Sequence, residues 1–142
     1  MKFRTILKVI AGTISAVILL VLATAYFLTA ELCGNTLLSD SVSPNGRLKV
    51  VVFRRDCGAT TGFSTHVSVL NSWEHLTRDM GANVYSEKEH NLKAVAANWE
   101  NDYTLKITHE KDAEVYTTID HLLVLPFFQI VRVTYQVAGV SR

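Results

Sequence analysis

Six side chains capable of chemistry fall within eleven consecutive residues: Asp56, Cys57, Thr60, Thr61, Ser64 and His66. A histidine titrates near neutrality and can serve as acid or base. Hydroxyls both donate to and accept from a ligand. With Gly58, Gly62 and Phe63, these residues form a polar loop suited to holding a ligand or a partner. A structural reading competes and weighs more. Gly58 and Gly62 let the chain turn, and the hydroxyls bond the loop's own backbone. Asp56 pairs with Arg54 or Arg55, a contact worth under about 1 kcal/mol where exposed. Ser64 and His66 also invite a nucleophile–base reading. Residues i and i+2 of a strand share a face but stand about 7 Å apart, which puts the serine beyond direct reach of the imidazole. No catalytic residue is assigned, and the segment is carried forward as an interaction loop.

Cys33 and Cys57 are the only cysteines. A redox pair is usually C-x-x-C, and these two are far apart. A metal site needs more ligands at close spacing, whereas His66, His75, His90, His109 and His121 are scattered. An even pair in a small exported domain reads as a disulfide. Its loop of about 25 residues is worth about 3 kcal/mol in the chain-entropy description. No phosphate loop, zinc spacing or nucleophile elbow is present. No metal or cofactor is therefore expected.

The elements that must position this loop begin with an apolar N-terminal run. Lys2, Arg4 and Lys8 precede 22 uncharged residues from Val9 to Ala30. A bilayer core takes about 20 apolar residues of helix. Tyr26 and Phe27 lie near the far end, where rings favour the headgroup region. The basic residues precede the run, and no further one occurs until Arg47. That bias puts the N-terminus in the cytoplasm. Three readings remain open. An uncleaved signal-anchor through residues 9–30 leads. A cleaved signal peptide is second, with Ala23-Thr24-Ala25 as the A-x-A site and cleavage after Ala25. A lipoprotein is third, disfavoured by Leu32 and Glu31 ahead of Cys33.

Cys33–Arg142 is 110 residues long, enough for one domain and too short for two. It carries 11 Lys and Arg against 12 Asp and Glu, a net charge of −1. Nucleic acid is not an expected partner, because no basic surplus exists to displace counterions. Ser43-Pro44-Asn45-Gly46 predicts a turn. Strands are expected over Arg47–Arg54 and Ser64–Leu70, paired as an antiparallel hairpin. Val84–Tyr85, Leu92–Trp99, Tyr103–Thr108, Val115–Ile119 and Gln129–Val137 supply more. Asn71–His90 is the least legible stretch, with room for a helical turn and with Trp73, Leu76 and Met80 as packing points. His121–Phe128, HLLVLPFF, reads as a buried crossover first and as an exposed contact surface second. The outline also looks like one blade of a propeller, which needs at least four. A free-standing small sheet is expected instead. The fold class is thus an N-terminal transmembrane helix (1–30) and a small mainly-β or α+β domain (31–142).

The segment Arg55-Asp56-Cys57-Gly58-Ala59-Thr60-Thr61-Gly62-Phe63-Ser64-Thr65 is specific. With Cys33-Gly34-Asn35 and Ser43-Pro44-Asn45-Gly46 ahead of it, the chain resembles a family of small bacterial envelope proteins of unknown function. The likeness covers residues 31–70 well and Trp99–Ile107 more loosely, and the ending with HLLVLPFFQ departs from it. The resemblance implies location and fold but no reaction. The expectation is a non-enzymatic binding module held on the inner membrane, with its domain periplasmic or extracellular. Its partners would be the bilayer, through residues 9–30, and another envelope protein. The alternatives are an accessory or protective protein of the immunity or stress type, and a secreted protein whose signal peptide is cleaved.

Overall fold

The computed structural model describes residues 2–30, 33–58, 61–89 and 95–139. The chain divides into two compact units, Met1–Leu32 and Cys33–Arg142. The first holds one helix, α1 (Lys2–Ala30). Thr13 and Thr24 return their hydroxyls to helix carbonyls three or four residues earlier. The side chains of α1 are described without a break over residues 10–25. Among the described residues, no helix is long and apolar enough to cross a membrane.

The second unit is mainly β and has nine strands among its described residues: β1 (Gly34–Val42), β2 (Leu48–Asp56), β3 (Phe63–Asn71), β4 (Tyr85–Lys88), β5 (Ala96–Asn101), β6 (Thr104–His109), β7 (Val115–Thr118), β8 (His121–Val124) and β9 (Gln129–Val137). They form two sheets, ordered β1-β2-β3-β4-β7 and β5-β6-β9-β8. Every pairing is antiparallel except β6 with β9. A parallel neighbour needs a crossover. Here the chain leaves β6, adds β7 beside β4 in the other sheet, and returns through β8 before β9 inserts between β6 and β8. The single free-standing sheet expected from the sequence is thus replaced by two packed sheets.

Burial explains why. Leu48, Val50, Val52, Val67, Val69 and Val84 turn one apolar face inward, and Leu105, Ile107, Val124, Val131 and Val133 meet it. One sheet alone would leave that face in water. Each such side chain contributes about 1.5–3 kcal/mol when buried. Trp99 of β5 adds a polar tie, its indole N–H donating to the Ser41 carbonyl of β1 at 3.1 Å. Strand β2 is buried on both faces, which accounts for its unbroken Val-Val-Val-Phe run. Its second face, with Val51 and Phe53 beside Leu70 of β3, is covered by Leu76 and Met80 from the loop that follows β3. That loop is not helical among its described residues, and Trp73 within it is exposed rather than packed inside.

The hairpin of β2 and β3 forms as expected; β2 starts one residue later than expected and the pairing runs on at the turn end to Asp56 opposite Phe63. Its lead-in is the Ser43–Gly46 turn. The Gly46 N–H donates to the Ser43 carbonyl at 2.8 Å, and Gly46 takes a φ of 72°, which glycine adopts without strain. Strand β1 was not anticipated. It is an edge strand whose residues are all partly or fully exposed, so it carries no burial alternation to read. Residues 92–94 of the expected fourth run lie outside the described residues.

Candidate functional site

The turn between β2 and β3 is built from its glycines and from Asp56. The Asp56 carboxylate accepts the Gly58 N–H at 2.9 Å, and Gly58 (φ 97°) and Gly62 (φ 67°) carry the chain through the left-handed region. The Thr61 hydroxyl and N–H both donate to the Gly58 carbonyl, each at 3.2 Å. Cys57 is joined to Cys33 in a disulfide. It therefore fastens the residue after β2 to the residue before β1. Thr60 lies outside the described residues. A shallow dent of about 220 Å³ is lined by Asp56, Gly58, Gly62 and Phe63.

The expected pairing of Asp56 with a neighbouring arginine gives way to other partners. Successive residues of a strand point to opposite faces, so Arg54 and Arg55 diverge. Arg54 turns inward, with Nε 3.1 Å from Glu89 Oε2, close but not aligned as a hydrogen bond. Its guanidinium lies 3.5 Å from the centre of the Phe63 ring. Arg55 turns outward and donates to the Met80 carbonyl. Asp56 is left to cap its own turn.

Ser64 and His66 do come together. Ser64 Oγ lies 2.9 Å from His66 Nε2, which corrects the expectation that strand spacing keeps them apart. The Cα separation is not the contact distance, because the imidazole reaches back along the strand. The other ring nitrogen decides what the contact can do. His66 Nδ1 accepts the Ala82 N–H at 3.0 Å, and a backbone N–H can only donate. The neutral ring therefore carries its proton on Nε2 and donates it to Ser64. Activating a serine needs the reverse arrangement, a free lone pair on the nitrogen that faces the hydroxyl. Burial, and secondly the Arg55 cation, push the His66 pKa down to about 4, so the ring is neutral at pH 7.

His66 instead belongs to a set of side chains that pin the loop after β3. Ser68 Oγ donates to the Gly81 carbonyl at 3.0 Å and accepts the Asn83 N–H at 3.1 Å. The Asn83 amide pairs with both the N–H and the carbonyl of Val69, each at 2.8 Å. The Asn35 amide donates to the Thr77 and Met80 carbonyls. Sequence reading missed Asn35, Ser68 and Asn83 because their partners are backbone groups distant along the chain.

The interaction loop is thus split between two faces. Phe63 is exposed with the Arg54 guanidinium over its ring, Ser64 and His66 lie on the other face under the loop after β3, and the turn stays open.

A second region has the character of a contact surface. The HLLVLPFF stretch is not a buried crossover. It forms β8 and the tight turn into β9, with Leu123 opposite Ile130. Leu122 and Val124 face the core, so period-two alternation turns Leu123 outward. Leu123, Leu125, Phe127, Phe128 (75%) and Ile130 (60%) are all exposed. The turn is held in place from below. Asn71 donates to the Leu125 carbonyl at 2.9 Å, Trp73 meets Phe127 edge-on with centroids 5.5 Å apart, and the Arg47 guanidinium lies 5.6 Å from the same ring. The apolar side chains are displayed by a braced turn. Among the described residues, no group of His, Cys, Asp and Glu is arranged to hold a metal.

Neither the comparison with curated proteins nor the comparison with solved structures finds a match. A match does cover residues 1–121, which takes in α1, both cysteines and strands β1 to β7 and stops where β8 begins. It is to the family described as a family of unknown function (DUF5412), and the chain belongs to that family.

Proposed function

We propose that this protein is a binding module of the bacterial envelope. The N-terminal helix tethers it to the inner membrane, with the N-terminus in the cytoplasm and the β domain outside. The domain is non-enzymatic and recognises another envelope protein through the turn between β8 and β9. The carrying observation is the exposure of Leu123, Leu125, Phe127, Phe128 and Ile130 together on a braced turn. Contiguous apolar patches on a soluble face mark interaction sites. Aromatic anchors with an adjacent arginine are the residue types that carry most binding energy at interfaces. The tether rests on the 22 uncharged residues of the sequence from Val9 to Ala30. The hydroxyls of Thr13 and Thr24, bonded within the helix, add no unsatisfied polar group for lipid to solvate. An extracytoplasmic location agrees with the disulfide, since such bonds persist in oxidising compartments.

A photo-crosslinking residue placed at Phe128 in intact cells should trap one specific partner, and the same residue at the exposed Lys111 should not. Equal, diffuse adducts from both positions would sink the binding-surface reading. The tether has its own check. Alkaline extraction should leave the protein with the membrane, whereas release of a chain beginning at Tyr26 would show that the segment is a cleaved signal.

A further inference from the structure

An open cavity of about 440 Å³ lies between the β4–β7 edge of one sheet and strands β6 and β9 of the other. Its walls are Tyr85, His109, Tyr116 and Tyr135, with Thr117 and Thr118 on the β7 side. The Tyr85 ring sits between two others, 5.7 Å from His109 and 5.9 Å from Tyr135 between centroids. The Tyr135 hydroxyl is fixed by Ile119, donating to its carbonyl at 2.7 Å and accepting its N–H at 3.0 Å. The Tyr85 hydroxyl donates to the carboxylate of Glu87, which is 2% exposed. The hydroxyls of Tyr85 and Tyr135 are therefore engaged within the domain; Tyr85 is fully buried, and the rings of Tyr116 and Tyr135 face the space.

The charge pattern sets the ligand class. Among the described residues, no lysine or arginine lines the cavity. Arg54 is engaged by Glu89, and Lys88 by Glu114. The His109 Nδ1–H donates to the Glu110 carbonyl at 2.8 Å. Aromatic faces attract cations, more strongly when the site is partly dry, and a buried carboxylate behind one of them adds a field of the same sense. The Tyr85 hydroxyl registers that surrounding. Burial first, then the hydrogen bond to Glu87 and its charge, hold its pKa far above the ordinary phenol value.

We propose that this cavity binds an alkylammonium group, with the rings of Tyr116 and Tyr135 as its walls and the Glu87 carboxylate, buried behind Tyr85, as its countercharge. Its size suits a group of side-chain dimensions, since pockets for small ligands run from about 300 to 1,000 Å³. The same chemistry would come from a free amine or from a lysine side chain of a larger molecule. The site stands apart from the turn between β8 and β9. Tyr135 lies six residues along β9 from Gln129, about 20 Å at strand rise. Failure here would leave the protein-binding reading untouched.

The test uses the full chain in detergent micelles with labelled tyrosine, and follows ring resonances during titration with n-butylammonium chloride. n-Pentanol serves as the uncharged analogue, sodium chloride as the salt control, and a lysine-containing tripeptide as the macromolecular source. Butylammonium should give saturable shifts confined to Tyr85, Tyr116 and Tyr135, at an affinity about tenfold above that of pentanol. Glu87→Gln keeps an acceptor for the Tyr85 hydroxyl. It should weaken butylammonium about tenfold and leave pentanol unchanged. Tyr116→Ala removes an exposed ring outside the core and should weaken butylammonium about threefold. Pentanol binding as tightly as butylammonium, or an absence of saturable shifts, overturns the proposal. So does wild-type affinity in Tyr116→Ala, which decides the matter alone if Glu87→Gln does not fold. If the tripeptide matches butylammonium, a lysine side chain is the source; if only butylammonium binds, the ligand is a free amine.

Discussion

Two pairs of side chains, on neighbouring strands of one sheet, share the same spacing and differ in almost everything else. Ser64 and His66 are two residues apart on β3, and Tyr85 and Glu87 are two residues apart on β4. Both pairs are hydrogen-bonded. The first faces outward beneath a loop and stays partly accessible; the second faces the interior and is buried. By residue type, the first looks like chemistry and the second like packing. The surroundings reverse that impression. The Ala82 N–H fixes the His66 tautomer so that the ring donates to the serine. Tyr85 instead stands between the cavity and the buried carboxylate of Glu87, which its hydroxyl engages. Spacing brings groups into contact, while burial and the third partner decide what the contact does.

Substitutions can break this contrast or sharpen it, beginning with the largest effect. Tyr85→Phe removes the donor and leaves a buried carboxylate without it, which should cost about 3 kcal/mol in urea unfolding. A loss under about 1 kcal/mol would mean that Glu87 is solvated and the two pairs are alike after all. His66→Phe should cost about 1–2 kcal/mol, because the half-buried Ala82 N–H loses its acceptor.

His66 should also leave a signature in the pH dependence of stability. Its pKa is 6.5 in the unfolded chain and about 4 in the folded one. Between these values the unfolded state alone takes up the proton. The contribution of this group is therefore level above pH 6.5, falls as pH drops from 6.5 to 4, and levels again below. Urea midpoints measured from pH 7 to 4.5 should decline in the wild type and decline less in His66→Phe. Parallel curves would count against a buried neutral imidazole. Ser64→Ala should have the smallest effect, under about 1 kcal/mol, since the serine acts as an acceptor on a partly accessible face. A larger loss would give this pair a weight comparable with that of the Tyr85–Glu87 pair.

Legibility followed local signals. Gln129–Val137 was readable as a strand to the residue, because apolar and polar residues alternate from Val131 to Val137. The Ser43–Gly46 turn was readable because Pro, Asn and Gly each have a defined backbone preference. The disulfide was readable from cysteine number and from the position of both cysteines beyond a long uncharged run. β1 was not, since an edge strand exposed along its length has no buried face to reveal it. The second sheet was not, since nothing local says that β7 will leave its chain neighbours and pair with β4.

HLLVLPFF shows the boundary most clearly. Apolar composition alone favours a buried crossover and also admits a displayed surface. Only the pairing of Leu123 with Ile130, on a hairpin at the edge of the second sheet, turns those side chains outward. The candidate sites divide in the same way. The amino-acid order by itself determined which residues stand two apart on a strand, where the chain turns, and that Cys33 and Cys57 are the pair available to join. Tertiary structure alone decided that Tyr85, His109, Tyr116 and Tyr135 share one cavity, and that the His66 proton points at Ser64. The physical reason is that local rules act through backbone preference and side-chain period over a few residues, whereas burial, tautomer and cavity depend on which distant strand or loop closes over them.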